Sequence, residues 1–333
     1  MEIAIDSFAA LMPDAGTGAM PSPSERMAFV LEEIETADRV GIDAFGVGEH
    51  HRAEFIDTSP VVILAAAAAR TKTILLHSAV TVLSAADPVR VFEDFATLDL
   101  ISGGRAEIVA GRGSFVDAFP LYGLSLDDYD ALYAEKLELL LKIRAGNPVT
   151  WSGRFRPALH EQNIYPRPLQ AQLPIWIGVG GTPESFVRAG VLGLPLMVAI
   201  IGGGFARFAP LVDLYRKAGA QAGHPPEQLK VGLHAMGFVG ETDGEARDAF
   251  FAGWYYMFTQ LAKERGWRGA SREQFDAFAG PGGAFLVGRP ETVAAKMLEA
   301  SEIFGGLARI SFQMSAASGN RPAMLRSIDL LGS

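Results

Sequence analysis

Two of the six histidines in this chain, His50 and His51, stand side by side in GVGEHH (46–51), directly after Glu49. Imidazole gains and loses its proton near neutral pH, and a neighbouring carboxylate can set its tautomer. The pair can therefore move a proton, bind a metal or pack. Metal binding fits least well. The preceding residues read as a buried strand, and adjacent strand residues point to opposite faces, so the two rings are poor joint ligands. A zinc ion would also want a third N or O ligand close by. Proton transfer by one ring, with Glu49 tuning it, is the chemistry this trio suggests. The other ring then packs or bonds outside.

Three further stretches carry polar groups or small residues at the ends of apolar runs. GVGGTPES (178–185) passes through Gly180 and Gly181 to Thr182 as a helix cap, with Pro183 in the first turn. Backbone N–H groups at such a start, aligned with the helix dipole, suit a phosphate, although glycines and Thr-Pro also build plain turns. Glu184 adds an opposing negative charge unless it points away. AGRGSF (110–115) sets Arg112 between Gly111 and Gly113, which suits an anion or a surface salt bridge. VLSAADPVR (82–90) offers Ser84, Ala85 and Ala86, small enough for a flat ring to approach the backbone, or simply a loop before the helix capped by Asp87.

The elements that would place these residues alternate regularly. Strands are expected over 2–8, 42–48, 73–83, 105–110, 174–178, 194–201, 229–239 and 307–314, with helical crossovers throughout. The first helix is marked by SPSE, where Ser22 caps, Pro23 opens the turn and Glu25 closes a capping box. Met27, Val30, Leu31, Ile34, Ala37 and Val40 then form one apolar stripe at helical spacing. Further helices are expected over 60–70, 88–101, 126–143, 182–190, 205–222, 243–265 and 290–304. Crossovers of this kind imply parallel strands with helices outside, and eight of them imply a (β/α)₈ TIM barrel with insertions. The insertions are a β-hairpin over 150–170 and a Gly-rich loop over 266–285 that could serve as a lid. One barrel domain spanning 1–333 is expected. Its active-site rim comprises the strand ends, including Phe8, 48–51, 83–87, 111–114, 178–182, 201–204, 237–239, Gln313 and Met314.

Composition narrows the partners. With 49% hydrophobic residues over 333 positions, there is enough apolar material for a large core. A net charge of −9 argues against nucleic-acid and anionic-membrane surfaces. The absence of cysteine rules out disulfides, thiolate metal sites and a cysteine nucleophile. No apolar run approaches the roughly 18 residues of a membrane span, and the first residues carry no basic n-region. A soluble cytoplasmic protein is expected. The apolar helix over 60–70 carries more hydrophobic surface than one side of a barrel needs, which suggests a homodimer.

GVGEHHRAEF, the block SAVTVLSAADPVRVFEDFATLDLISGGRAEIVAGRGSFVDAFPLYG, PIWIGVGGTPES and VGRPETVAAKML together resemble the bacterial luciferase-like flavin-dependent monooxygenases. The resemblance implies a barrel that binds reduced FMN supplied by an NAD(P)H-dependent flavin reductase. It implies oxygen addition to form a C4a-peroxyflavin, which attacks an organic substrate, an aldehyde in luciferase itself. Under this resemblance His50 matches the catalytic histidine, Ala85–Ala86 the small-residue cis peptide beneath the flavin ring, and Arg112 the phosphate-binding arginine. Gly111 stands where luciferase has a cysteine. Gly180 and Gly181 replace acidic and hydroxyl phosphate contacts and would serve only through backbone. Relatives that use coenzyme F420 for hydride transfer keep that cofactor open. A separate alternative is a non-catalytic flavin-binding partner subunit, although a purely structural partner has no need of His50.

Overall fold

The computed structural model of the protein describes residues 1–266 and 269–333. Eight parallel strands close into a ring: β1 (Glu2–Ser7), β2 (Ala44–Val47), β3 (Leu75–Ser78), β4 (Ala106–Gly111), β5 (Ile175–Val179), β6 (Leu196–Ile200), β7 (Val231–Val239) and β8 (Arg309–Gln313). Closure is made by β8 against β1, in register from Glu2↔Arg309 to Asp6↔Gln313, and by β6 against β7. The strands are short and buried on both faces, which is why they read as apolar runs without polar alternation. The architecture is a (β/α)₈ barrel.

The helices form where their boundaries are written. Helix Pro23–Val40 has the full Ser22/Glu25 capping box and ends at Gly41, whose φ of 85° an L side chain would resist. Helix Pro88–Ser102 is capped by Asp87, whose side chain accepts from Val89 and Arg90. At the N-terminal end of the barrel Arg309 fills the interior. It bridges Glu2 and Glu107 and lies over the Trp176 ring, beside Val109 and Met197. That packing plugs one end of the barrel, and the cavity lies toward the C-terminal strand ends.

Four expectations need correction. The strand expected over 73–83 is broken: β3 stops at Ser78 and pairing with β4 resumes only at Thr81–Val82. The segment 266–285 is not an irregular loop. It contains helix Arg272–Ala279, capped by the Ser271 hydroxyl and anchored by buried Phe275, while Trp267 and Arg268 lie outside the described residues. The end of β7, expected on the rim, is drawn away by parallel pairing of Gly237–Val239 with Leu286–Gly288. The apolar surplus of the 60–70 helix is largely consumed inside the fold. In Pro60–Ala68, Ile63, Leu64 and Ala67 are buried, and the exposed side chains are Val62, 70% exposed, and the small Ala66. The hairpin within 150–170 forms from Val149–Trp151 and Leu159–Gln162, antiparallel.

Candidate active site

The open end of the barrel holds a cavity of ≈ 490 Å³, walled mainly by Phe8, Phe55, Val80, Phe115, Met197 and Met236. Helix Asp243–Arg265 covers it with Tyr256, Met257, Phe258 and Leu261. Arg52, next to the histidine pair, donates to both carboxylate oxygens of Glu264 at 2.6 and 2.7 Å and fastens that cover to the rim.

His50 is part of the wall and 7% exposed. Phe8, Phe55 and Phe115 pack around its ring, with centroids 4.6, 4.5 and 5.3 Å away. Its partner is Asp57, seven residues on. Asp57 Oδ2 lies 2.8 Å from His50 Nδ1, and Oδ1 accepts the His50 backbone N–H at 3.1 Å. Asp57 is fully buried, and burial pushes its carboxyl above the usual range although the His50 bonds pull the other way. With the carboxylate ionised, Nδ1 must carry the ring proton and Nε2 is left as an acceptor toward the cavity. The geometry is that of an oriented base.

Glu49 does not tune His50. It turns to His51 Nε2 at 3.3 Å and accepts the Val82 N–H at 2.8 Å, tying the loop after β2 to the chain beyond β3. Glu49 still lines the cavity, whereas His51 does not and meets Tyr122 edge-on at 5.4 Å. The hydrogen bond to Glu49 raises the His51 pKa above its ordinary value.

The expected platform is displaced. The cis non-proline peptide joins Ala79 to Val80, not Ala85 to Ala86. Ala79 and Val80 line the cavity. The Val80 side chain reaches over the neighbouring β4 and β5, where a Cβ on Gly111 would meet it at 2.5 Å and one on Gly178 at 2.8 Å. Gly111 therefore makes room for Val80. Ala85 and Ala86 instead donate their N–H groups to the Val82 carbonyl in a turn, and Ser84 is buried with its carbonyl accepting from Lys136 Nζ at 2.7 Å. None of the three lines the cavity. Small residues occur at both places in this stretch, and only the pair at the carboxyl end of β3 faces the barrel axis.

At the mouth, Arg112 and Thr182 are brought together across 70 residues, the guanidinium donating to the Thr182 hydroxyl at 3.0 Å. Arg112 also pairs with exposed Asp130 and lies 5.3 Å from the Tyr129 ring centroid. Thr182 precedes helix Pro183–Val191 but makes no side-chain cap; Pro183 has no N–H and the Ser185 N–H donates to the Thr182 carbonyl at 3.0 Å, so the Glu184 N–H is the first-turn donor left over. Gly180 lines the cavity beside it; Gly181, with φ of 131°, supplies the turn and does not. A guanidinium, a hydroxyl and a backbone N–H at a helix start form a donor set that fits a phosphate.

The sequence reading missed Asp57 altogether. It also missed three polar residues on the cavity floor, Asp6, His77 and His234, which join Gln313, expected only as a rim position without a role. Asp57 sits in a loop with no periodic signal. The floor residues are single polar letters inside apolar strands, a departure from pattern that marks each one but does not say that they meet.

A family model described as luciferase-like monooxygenase matches residues 5–305. Among curated proteins, y4vJ of Sinorhizobium fredii is 28% identical over 68% of this chain and 64% of its own length. The alkanal monooxygenase alpha chain of Aliivibrio fischeri is 25% identical over 65% of this chain and 62% of its own. The chain thus spans somewhat under two thirds of the length of these relatives. Among solved structures, the monooxygenase RslO1 of Streptomyces bottropensis superposes with a TM-score of 0.85 at 26% identity, covering 100% of this chain and 98% of that one. Two barrels below 25% identity share the fold. They are the oxygenating constituent of 3,6-diketocamphane monooxygenase of Pseudomonas putida in complex with FMN (TM-score 0.80, 20%, covering 100% and 97%) and the coenzyme F420-dependent tetrahydromethanopterin reductase of Methanopyrus kandleri (0.74, 19%, 100% and 97%).

Proposed function

The chain belongs to the luciferase-like monooxygenase family, and from that premise we propose that it is an FMN-dependent monooxygenase acting on a small, largely apolar organic compound. The observation that carries the proposal is one cavity with the buried His50–Asp57 pair in its wall and the Arg112–Thr182 pair at its mouth. The residues present fit the cofactor. Arg112, Thr182 and the Glu184 N–H suit the phosphate, and the backbone at Ala79–Val80 faces a space with apolar walls in which a planar ring can lie. Bound there, reduced FMN would supply the electrons that activate oxygen.

The protein's part is binding, orientation and proton handling. Asp57 holds the His50 ring in one tautomer, and the surrounding phenylalanines fix its direction and exclude water. His50 Nε2 then holds or moves a proton at the reacting centre. Helix Asp243–Arg265, pinned by Arg52, keeps solvent from the chamber. Reduced flavin would come from a separate NAD(P)H-dependent reductase, as the family resemblance implies.

Titration of the protein with FMN, followed by oxygen uptake with reduced FMN and a panel of aldehydes, ketones and terpenes, tests the proposal. Binding at micromolar concentrations and substrate-dependent oxygen consumption are expected. Tight binding of reduced F420 in place of FMN would redirect the assignment to hydride transfer.

A further inference from the structure

Four polar side chains from four strands converge on the cavity floor: Asp6 of β1, His77 of β3, His234 of β7 and Gln313 of β8. All are buried, and Gln313 is 1% exposed. Asp6 Oδ2 lies 2.6 Å from His234 Nδ1, and Asp6 Oδ1 lies 3.4 Å from His77 Nε2, whose Nδ1 is 3.0 Å from the Ser78 carbonyl. Gly46 makes this possible. A Cβ there would stand 2.2 Å from Asp6 Oδ1 and 2.4 Å from His77 Cε1. Burial alone would raise the Asp6 carboxyl, but the His234 bond and the nearby His77 and Arg309 bring it below the usual range.

Within this cluster Asp6 Oδ1 and His77 Nε2 also make no hydrogen bond, but only Gln313 is idle at every polar atom of its side chain. Neither its Nε2 nor its Oε1 has a hydrogen-bond partner among the described residues. An amide buried with both donor and acceptor idle is costly, and leucine or methionine would pack this strand position without that cost. What the amide faces is the cavity, between apolar walls.

We infer that Gln313, backed by the Asp6–His234 pair, is a subsite for the hydroxyl group of an otherwise apolar substrate, a phenol or an alcohol. The inference rests on the reading that flavin takes the mouth of the cavity and leaves the floor to substrate. A hydroxyl donates to Oε1 and accepts from Nε2 of one amide, satisfying both. A carboxylate would sit beside the Asp6 anion, whose Cα pairs with that of Gln313. An ammonium has no lone pair for the Nε2 protons. Phe8 joins the floor to the proposed chemistry: its ring stacks on His234 at 5.9 Å and 14° and packs on His50 at 4.6 Å.

Carvacrol and p-cymene share one carbon skeleton and differ by a phenolic hydroxyl, so their calorimetric affinities for the protein, with and without saturating FMN, isolate the hydroxyl. Carvacrol should bind about tenfold tighter than p-cymene. Gln313→Leu should erase that preference, with p-cymene and FMN affinities unchanged, and Gln313→Met provides a second apolar replacement should the first fold poorly. Equal affinities in the unaltered protein, or a preference that survives both substitutions, would overturn the inference. Loss of FMN affinity in the Gln313 variants would also overturn it, by assigning the floor to cofactor. Failure of the unaltered protein to bind FMN would remove the flavin reading alone, because the two probes can still be compared without cofactor.

Discussion

His50 owes its candidacy to Asp57 more than to its neighbour in sequence. A carboxylate held without solvent exposure against Nδ1 sets which nitrogen carries the proton, and three phenylalanines pack around the ring. His50→Ala should lower substrate-dependent turnover by about 10²-fold or more, with FMN affinity within about threefold, as read by steady-state oxygen uptake and flavin absorbance titration. Asp57→Asn keeps the volume but no longer forces the tautomer. It should lower kcat with little change in KM and alter the pH profile of the reaction. His51 makes a different prediction. Its pKa is raised in the folded chain by Glu49. A histidine shifted that way stabilises the fold fully below its unfolded value near 6.5, and the contribution is lost as pH rises through the folded value. Tm should therefore fall as pH is raised from about 6 through that range, and Glu49→Gln should flatten the fall.

Between elements, the chamber depends on close approaches that only glycine permits. Gly46 on β2 lets the β1 carboxylate meet the β3 imidazole, and Gly111 and Gly178 admit Val80 between β4 and β5. Gly46→Ala should cost about 1–3 kcal/mol in urea unfolding, because two buried side chains must give way to a methyl group. The turn into helix Pro183–Val191 meets Arg112 at the mouth, and there the proposed ligand is a phosphate. Arg112→Ala should weaken FMN about tenfold or more while leaving riboflavin, which lacks the phosphate, within about twofold. Equal losses for both ligands would place Arg112 against the ring system instead.

For the molecule as a whole, the barrel is plugged at one end by Arg309 and its two glutamates and open at the other, so chemistry is confined to the strand ends that carry His50. Among the described residues no helix is long and apolar enough to cross a membrane. The homodimer expected from the helix now labelled Pro60–Ala68 narrows to the area around Val62, since its other large side chains are spent on the core. If that face pairs two copies, light scattering should give twice 35.6 kDa, and Val62→Glu should return it to one.

Much of the barrel was legible in the chain because its causes are local. Apolar runs of strand length, Ser22 and Asp87 caps, Pro at helix starts and Gly at helix ends depend on residues a few positions apart. Their alternation, eight times over, leaves few ways to bury every strand. His50, Arg112 and Thr182 could be picked out for the same reason, as reactive letters where a strand ends. Partnership could not be read. Asp6 and His234 are 228 residues apart and meet only because β1 and β7 both flank β8 in a closed ring. Which pair faces the axis, Ala79–Val80 or Ala85–Ala86, and which acid holds His50, are likewise matters of direction in space. A run of small residues or a lone carboxylate carries no direction until the whole ring closes around it.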